Sequence, residues 1–180
     1  AVYRALWVTP NVSNIANAAN GFIITGNFIG GSNASGTGTT VMTGSSTYSY
    51  WAMDISVGLG TPTSVQNNTI TNLDITTANT GSAAMEGINI ANGNANVGTL
   101  AGNLVGSTTS TPGITFTATA NTGGPIGYRT GGGTNNVINI SNNVVGGILV
   151  NSPVTVAGIF NGIAASGGTT VNITNNRSEE

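Results

Sequence analysis

Ile24-Thr25-Gly26-Asn27-Phe28-Ile29, Val65-Gln66-Asn67-Asn68-Thr69-Ile70, Leu100-Ala101-Gly102-Asn103-Leu104-Val105 and Ile140-Ser141-Asn142-Asn143-Val144-Val145 are four versions of one phrase, and Ile173-Thr174-Asn175-Asn176 begins a fifth. Each reads aliphatic, any residue, Gly or Asn, Asn, any residue, aliphatic. The recurring Asn residues lie 41 (68 − 27), 35 (103 − 68), 40 (143 − 103) and 33 (176 − 143) positions apart. A fixed local pattern at variable spacing points to a solenoid whose loops differ in length. Gly and Asn are the residues that most readily take a positive φ, as a tight corner between short strands requires. The flanking aliphatic residues then point into a core. Asn27, Asn68, Asn103, Asn143 and Asn176 should therefore stack at one corner, about 4.8 Å apart. Their amides, each with donors and an acceptor, suit a hydrogen-bonded ladder along the axis.

A second phrase recurs between the corners: Met53-Asp54-Ile55-Ser56-Val57, Gly87-Ile88-Asn89-Ile90, Pro125-Ile126-Gly127-Tyr128 and Gly162-Ile163-Ala164. Each is followed by a turn rich in Gly, Asn or Thr. Counted as a separate coil, it divides each repeat into two coils of roughly 18–20 residues. The expected fold is then an all-β, single-stranded parallel β-helix of about nine coils, about 43 Å long at ~4.8 Å per coil. The whole chain, residues 1–180, reads as one domain, with the solenoid over residues 11–176. Residues 1–10 carry Tyr3, Leu6 and Trp7 outside the repeat pattern, which suggests a cap or an arm packing on another subunit. Residues 177–180 break the pattern as a C-terminal end.

Composition narrows the function. Only 4% of the 180 residues are charged, with no His and a net charge of −2; about 25% is usual. This excludes an electrostatic footprint for nucleic acid or an anionic membrane. No run approaches the ~20 apolar residues of a membrane-spanning helix. A surface of Asn, Thr, Ser and Gly with little charge suits close packing of rods, or contact with neutral polysaccharide. The chain has no Cys, as expected of a bacterial extracellular protein held by a β-ladder and not by disulfides.

The stretches "VQNNTITNLDI", "PGITFTATANTGGPIGYRTGGGTNNVINISNNVVGGI" and "VAGIFNGIAASGGTTVNITNN" resemble the long, repetitive β-helix proteins secreted by Bacteroidetes and other environmental bacteria. The resemblance covers roughly residues 20–176. It implies a right-handed helix, an extracellular or cell-surface location, and a role in adhesion or surface structure.

Candidate chemistry is sparse. The repeat region holds three acids, Asp54, Asp74 and Glu86, at different phases of the repeat. Paired carboxylates, Asp clusters that bind Ca²⁺, or an Arg or Lys base would be needed for a polysaccharide lyase or hydrolase. Asp54 and Glu86 can approach each other if their phrases stack. Tyr48, Tyr50 and Trp51 form an aromatic cluster able to stack on sugars or to pack internally. No catalytic residue, metal site or cofactor is expected. The reading is a structural protomer of an extracellular fibre or surface-adhesin rod. Its expected partner is another copy of itself, end to end, with neutral polysaccharide as a further partner. The alternative is a carbohydrate-binding or polysaccharide-processing β-helix.

Overall fold

Among the described residues short strands alternate with turns, and each of the first fifteen strands pairs with the strand four places later. The computed structural model describes residues 1–10, 15–44, 47–81, 83–120, 124–131, 133, 135–151, 160–167 and 170–179. The first coil holds β1 (Val2–Val8), β2 (Ile23–Thr25), β3 (Phe28–Ile29) and β4 (Thr40–Thr43). The second holds β5 (Ser49–Ser56), β6 (Thr63–Gln66), β7 (Thr69–Ile70) and β8 (Leu73–Thr77). The third holds β9 (Met85–Asn92), β10 (Ala95–Val97), β11 (Leu104–Gly106) and β12 (Ile114–Ala118). The fourth holds β13 (Pro125–Thr130), β14 (Val137–Ser141), β15 (Val144–Gly146) and β16 (Ile148–Asn151). The fifth holds β17 (Asn161–Ala165), β18 (Thr170–Thr174) and β19 (Arg177–Glu179). Sheet A runs β1-β5-β9-β13-β17, sheet B β2-β6-β10-β14-β18, sheet C β3-β7-β11-β15-β19 and sheet D β4-β8-β12-β16. Neighbouring strands are parallel in all four. The chain is a parallel β-helix.

One repeat makes one coil, not two. Met53 pairs with Ile88, Ile88 with Tyr128 and Tyr128 with Ile163, at separations of 35 (88 − 53), 40 (128 − 88) and 35 (163 − 128). The second phrase is thus sheet A of the same coil whose Asn corner joins sheets B and C. The expected nine coils are five, and the rod is about 24 Å long at ~4.8 Å per coil. The reason lies in strand length. Each strand of two to eight residues forms one side of a coil, and four sides complete it, so the Gly-, Asn- and Thr-rich turns bend the chain between faces without closing a coil.

Both chain-end expectations are corrected too. Residues 2–8 are neither cap nor arm but the first strand of sheet A, paired from Val2↔Ser49 to Val8↔Ile55. Leu6 packs against the core. Residues 177–179 continue sheet C, with Arg177 beside Val144 and Ser178 beside Val145. Glu180 lies outside the described residues, as do residues 11–14 of the expected solenoid start.

The core is a set of stacked columns. Ile24, Val65, Val97 and Ile140 form one, and Ile29, Ile70, Val105 and Val145 another. Tyr128 reaches across the core and donates its hydroxyl to the Asn103 carbonyl at 3.0 Å. In sheet A, Ala52, Gly87, Gly127 and Gly162 occupy matching places just before the column Met53, Ile88, Tyr128, Ile163. A Cβ on Gly87 would lie 2.4 Å from the Gly127 carbonyl oxygen and 2.8 Å from Val105 Cγ1. That position therefore faces inward, as does the residue after it. Two successive inward residues break the strand alternation as a bulge does. In consequence Glu86 and Asn89, three residues apart, both face outward.

Candidate functional site

The corner between sheets B and C carries the ladder. Asn27 donates its backbone N–H (3.0 Å) and its Nδ2 (2.8 Å) to Asn68 Oδ1. Asn68 makes the same pair of bonds to Asn103 Oδ1, Asn103 to Asn143 Oδ1, and Asn143 to Asn176 Oδ1, all at 2.8–3.0 Å. Each Nδ2 also reaches back to a strand carbonyl: Asn68 to Ile24, Asn103 to Val65, Asn143 to Val97 and Asn176 to Ile140. Asn68, Asn103 and Asn143 are buried. Burial of so many amides is sustained only because their polar atoms are bonded along the stack.

The residue before the ladder Asn has a positive φ at Gly26 (68°), Asn67 (53°), Asn142 (59°) and Asn175 (52°). The third coil differs. Val97 and Asn103 are six positions apart (103 − 97), where Val65 and Asn68 are three apart (68 − 65), so this corner holds a three-residue insertion. The positive φ moves to Gly98 (75°). Gly102 serves a different need, since a Cβ there would lie 1.9 Å from the Asn142 carbonyl oxygen. Leu100, the aliphatic residue expected to point inward, stands on the insertion 86% exposed, and Val97 takes its inward place. Gln66 holds the insertion: its Oε1 accepts from the backbone N–H of Leu100 (3.0 Å) and Ala101 (3.2 Å), and its Nε2 donates to the Asn96 carbonyl (2.8 Å).

A shorter ladder runs on the outer face of sheet B, where Asn172 Nδ2 donates to Asn139 Oδ1 (2.8 Å) and Asn139 Nδ2 to Asn96 Oδ1 (2.7 Å). Sequence reading overlooked it. The signal was present in Ala95-Asn96-Val97, Ile138-Asn139-Ile140 and Val171-Asn172-Ile173, each an Asn between two inward aliphatics.

Four of the eight charged residues gather on the outer face of sheet A. Arg4 stands beside Trp51, and Trp51 beside Glu86; Trp7 stands beside Asp54, Asp54 beside Asn89, and Asn89 beside Arg129. Arg4 Nε donates to Asp54 Oδ2 at 2.5 Å, and Asn89 Nδ2 donates to Asp54 Oδ1 at 2.9 Å. Arg129 Nη1 donates to Glu86 Oε1. The Arg4 guanidinium lies 4.9 Å from the Trp7 ring centre and 5.0 Å from that of Trp51, a double cation–π stack. Glu86 is closed to solvent. Its burial pushes its pKa above the ordinary carboxylate value, against the downward pull of Arg129 and with a smaller upward push from Asp54. Glu86 Oε2 and Asn89 Oδ1 are buried without a hydrogen-bond partner among the described residues.

Asp54 and Glu86 are thus brought to one face on neighbouring strands, while Asp74 faces out of sheet D beside Val41 and Thr115. Both oxygens of Asp54 are bonded, and neither carboxyl group opens to a substrate. The Arg partners were not legible in the sequence, since they lie 50 and 43 residues from their acids.

The aromatic cluster is not a surface patch. Tyr48 and Tyr50 are buried, and the Tyr48 hydroxyl lies within hydrogen-bond distance of the Met42 (2.5 Å) and Thr76 (2.8 Å) carbonyls. Burial raises the pKa of both, that of Tyr50 to about 12. Sugar contact by Tyr48 and Tyr50 is excluded by this packing. Trp51 is half-buried, with its Nε1 3.4 Å from the Ala83 carbonyl. Beside this cluster β1 carries two exposed rings, Tyr3, packed edge-on against Tyr48 at 5.6 Å, and Trp7, 60% exposed. Among the described residues, no three His, Cys, Asp or Glu side chains cluster as a metal site would require, and no helix is long and apolar enough to cross a membrane.

No protein-family model matches the chain, and no curated protein or solved structure matches it.

Proposed function

We propose that the chain is a structural, non-catalytic segment of an extracellular bacterial fibre or surface-adhesin rod, and that its partner is another copy stacked end to end. The observation that carries this reading is the Asn ladder, which runs unbroken from the first coil to the fifth and commits one corner Asn of every coil to hydrogen bonds along the axis. The charged side chains best placed for chemistry are engaged with one another, with Glu86 closed off. The end coils expose parallel strand edges, which template pairing with further strands. The extracellular setting rests on the resemblance of the repeated phrases to secreted β-helix proteins.

Light scattering and negative-stain microscopy of the purified chain test the reading. Rods one molecule wide that lengthen with protein concentration are expected. A monomer at all concentrations, or polysaccharide turnover abolished by Glu86→Gln, contradicts it.

A second reading, binding of a neutral polysaccharide, is favoured by one observation: the exposed Trp7 ring backed by Arg4 and Trp51. Such a flat aromatic face suits stacking on a sugar ring. Titration with neutral oligosaccharides should then shift the Trp emission in the wild type and not in Trp7→Ala. An unchanged spectrum in the wild type rules this reading out.

A further inference from the structure

Every rung of the corner ladder has the same polarity. One Asn donates its backbone N–H and Nδ2 to Oδ1 of the Asn one coil later. At the first coil, Asn27 Oδ1 accepts nothing from the described residues. At the last, the Asn176 backbone N–H finds no acceptor among them. One end of the rod therefore offers an acceptor and the other a donor, at the same corner.

The core ends in the same complementary manner. Ile173 belongs to the column of Ile24, Val65, Val97 and Ile140, yet it is 45% exposed where Ile140 is 1%. With Val145, Ile163 and Ser178 it lines an open, mainly apolar cavity of about 300 Å³ on the last coil. On the first coil, Leu6, Val8 and Ile29 are only partly covered, while Ile24, in the same column as Ile173, is 7% exposed. A filling element must bring parallel strands over β17, β18 and β19, an aliphatic residue over Ile173, and an oxygen acceptor over Asn176. The first coil of a second copy brings all of these.

We propose that two copies join in the register of a sixth coil, with Asn176 of one beside Asn27 of the next and Ile173 beside Ile24. Sheets A, B and C continue through the junction as β17 on β1, β18 on β2 and β19 on β3, while sheet D skips one rung. The outward columns then place Asn161 beside Arg4, Ala164 beside Trp7 and Arg177 beside Phe28, so no like charges meet. This inference rests on the end-to-end stacking proposed above and adds its register.

Engineered disulfides test it, since the chain has no cysteine. Ile23 and Asn172 are exposed and share the outward column of sheet B. Within one chain they are four coils apart, roughly 19 Å at ~4.8 Å per coil, beyond the ~7 Å Cα separation that a disulfide can span. Across the proposed junction they are direct neighbours. Oxidation of the Ile23→Cys/Asn172→Cys double variant should give a reducible series of covalent multimers. The mismatched pair Phe28→Cys/Asn172→Cys, on different sheets, should give none. Phe28→Cys/Arg177→Cys reads the same register on sheet C, should sheet B not tolerate its changes. Light scattering on the unmodified chain separates the failures. Stacks that form without either matched cross-link overturn the register and leave end-to-end assembly standing. A chain that stays monomeric overturns both.

Discussion

At the scale of single residues, the interior Asn rungs should show the largest sensitivity. Asn103 accepts two hydrogen bonds from Asn68 and donates to Asn143 Oδ1 and the Val65 carbonyl, all while buried. Asn103→Leu leaves those donors and acceptors without partners inside the rod, a loss of about 1–3 kcal/mol. Urea denaturation should show it as a lower midpoint, and a midpoint equal to wild type would mean that the ladder contributes nothing.

Glu86 makes a second prediction at this scale. Its folded pKa is raised from the ordinary 4.5, so its favourable contribution is complete below that value and is lost as pH rises through the folded pKa. Glu86→Gln removes the titrating group. Wild type should therefore lose stability relative to the variant as pH is raised from about 4.5. A wild type that instead gains on the variant would mean that the Arg129 pair outweighs burial. The Asn stack could be read from sequence because each rung repeats a local phrase. The ion pairs could not, because no residue type recurs at the places that Arg4 and Arg129 hold in the repeat. Their only trace is spacing, since Arg4/Trp7, Trp51/Asp54, Glu86/Asn89 and Ile126/Arg129 are all three apart. A bulge was needed to put such pairs on one face.

At the scale of elements, that bulge depends on small residues in sheet A. Gly87→Ala places a methyl group 2.4 Å from the Gly127 carbonyl oxygen and against Val105, and overpacking of this kind costs about 1–3 kcal/mol. Gly162 occupies the same column in the last coil, where an added Cβ meets nothing nearer than Ser178 Oγ at 3.9 Å. Gly162→Ala should therefore stay within about 0.5 kcal/mol of wild type. Paired thermal melts check both, and equal losses at the two positions would place the column away from the core. The repeated Gly-Ile and Gly-Tyr steps marked these strands in the sequence. What the sequence hid was closure, because a turn between two faces and a turn ending a coil use the same Gly, Asn and Thr residues. The insertion at Gly98–Gly102 was masked likewise. Leu100 imitates the aliphatic position of the phrase, and only strand register shows that Val97 fills it.

At the scale of the whole molecule, the account stands on one coil per repeat. Five coils stacked through four faces make a short rod whose polar corner and apolar columns run from end to end, and both the ladder and the proposed junction follow from that stacking. Parallel strands this distant in sequence form no local contacts early in folding, so slow folding relative to a helical protein of similar size is expected. The most direct test is a distance along the axis. Spin labels on cysteines introduced at Ile23 and Asn172 lie on the outer face of sheet B, four rungs apart. In dilute, reduced protein, pulsed electron paramagnetic resonance should give a backbone separation of roughly 19 Å at ~4.8 Å per rung, broadened by the label arms. Two coils per repeat would put the labels roughly 38 Å apart on the same spacing, and a distribution centred there would contradict the account.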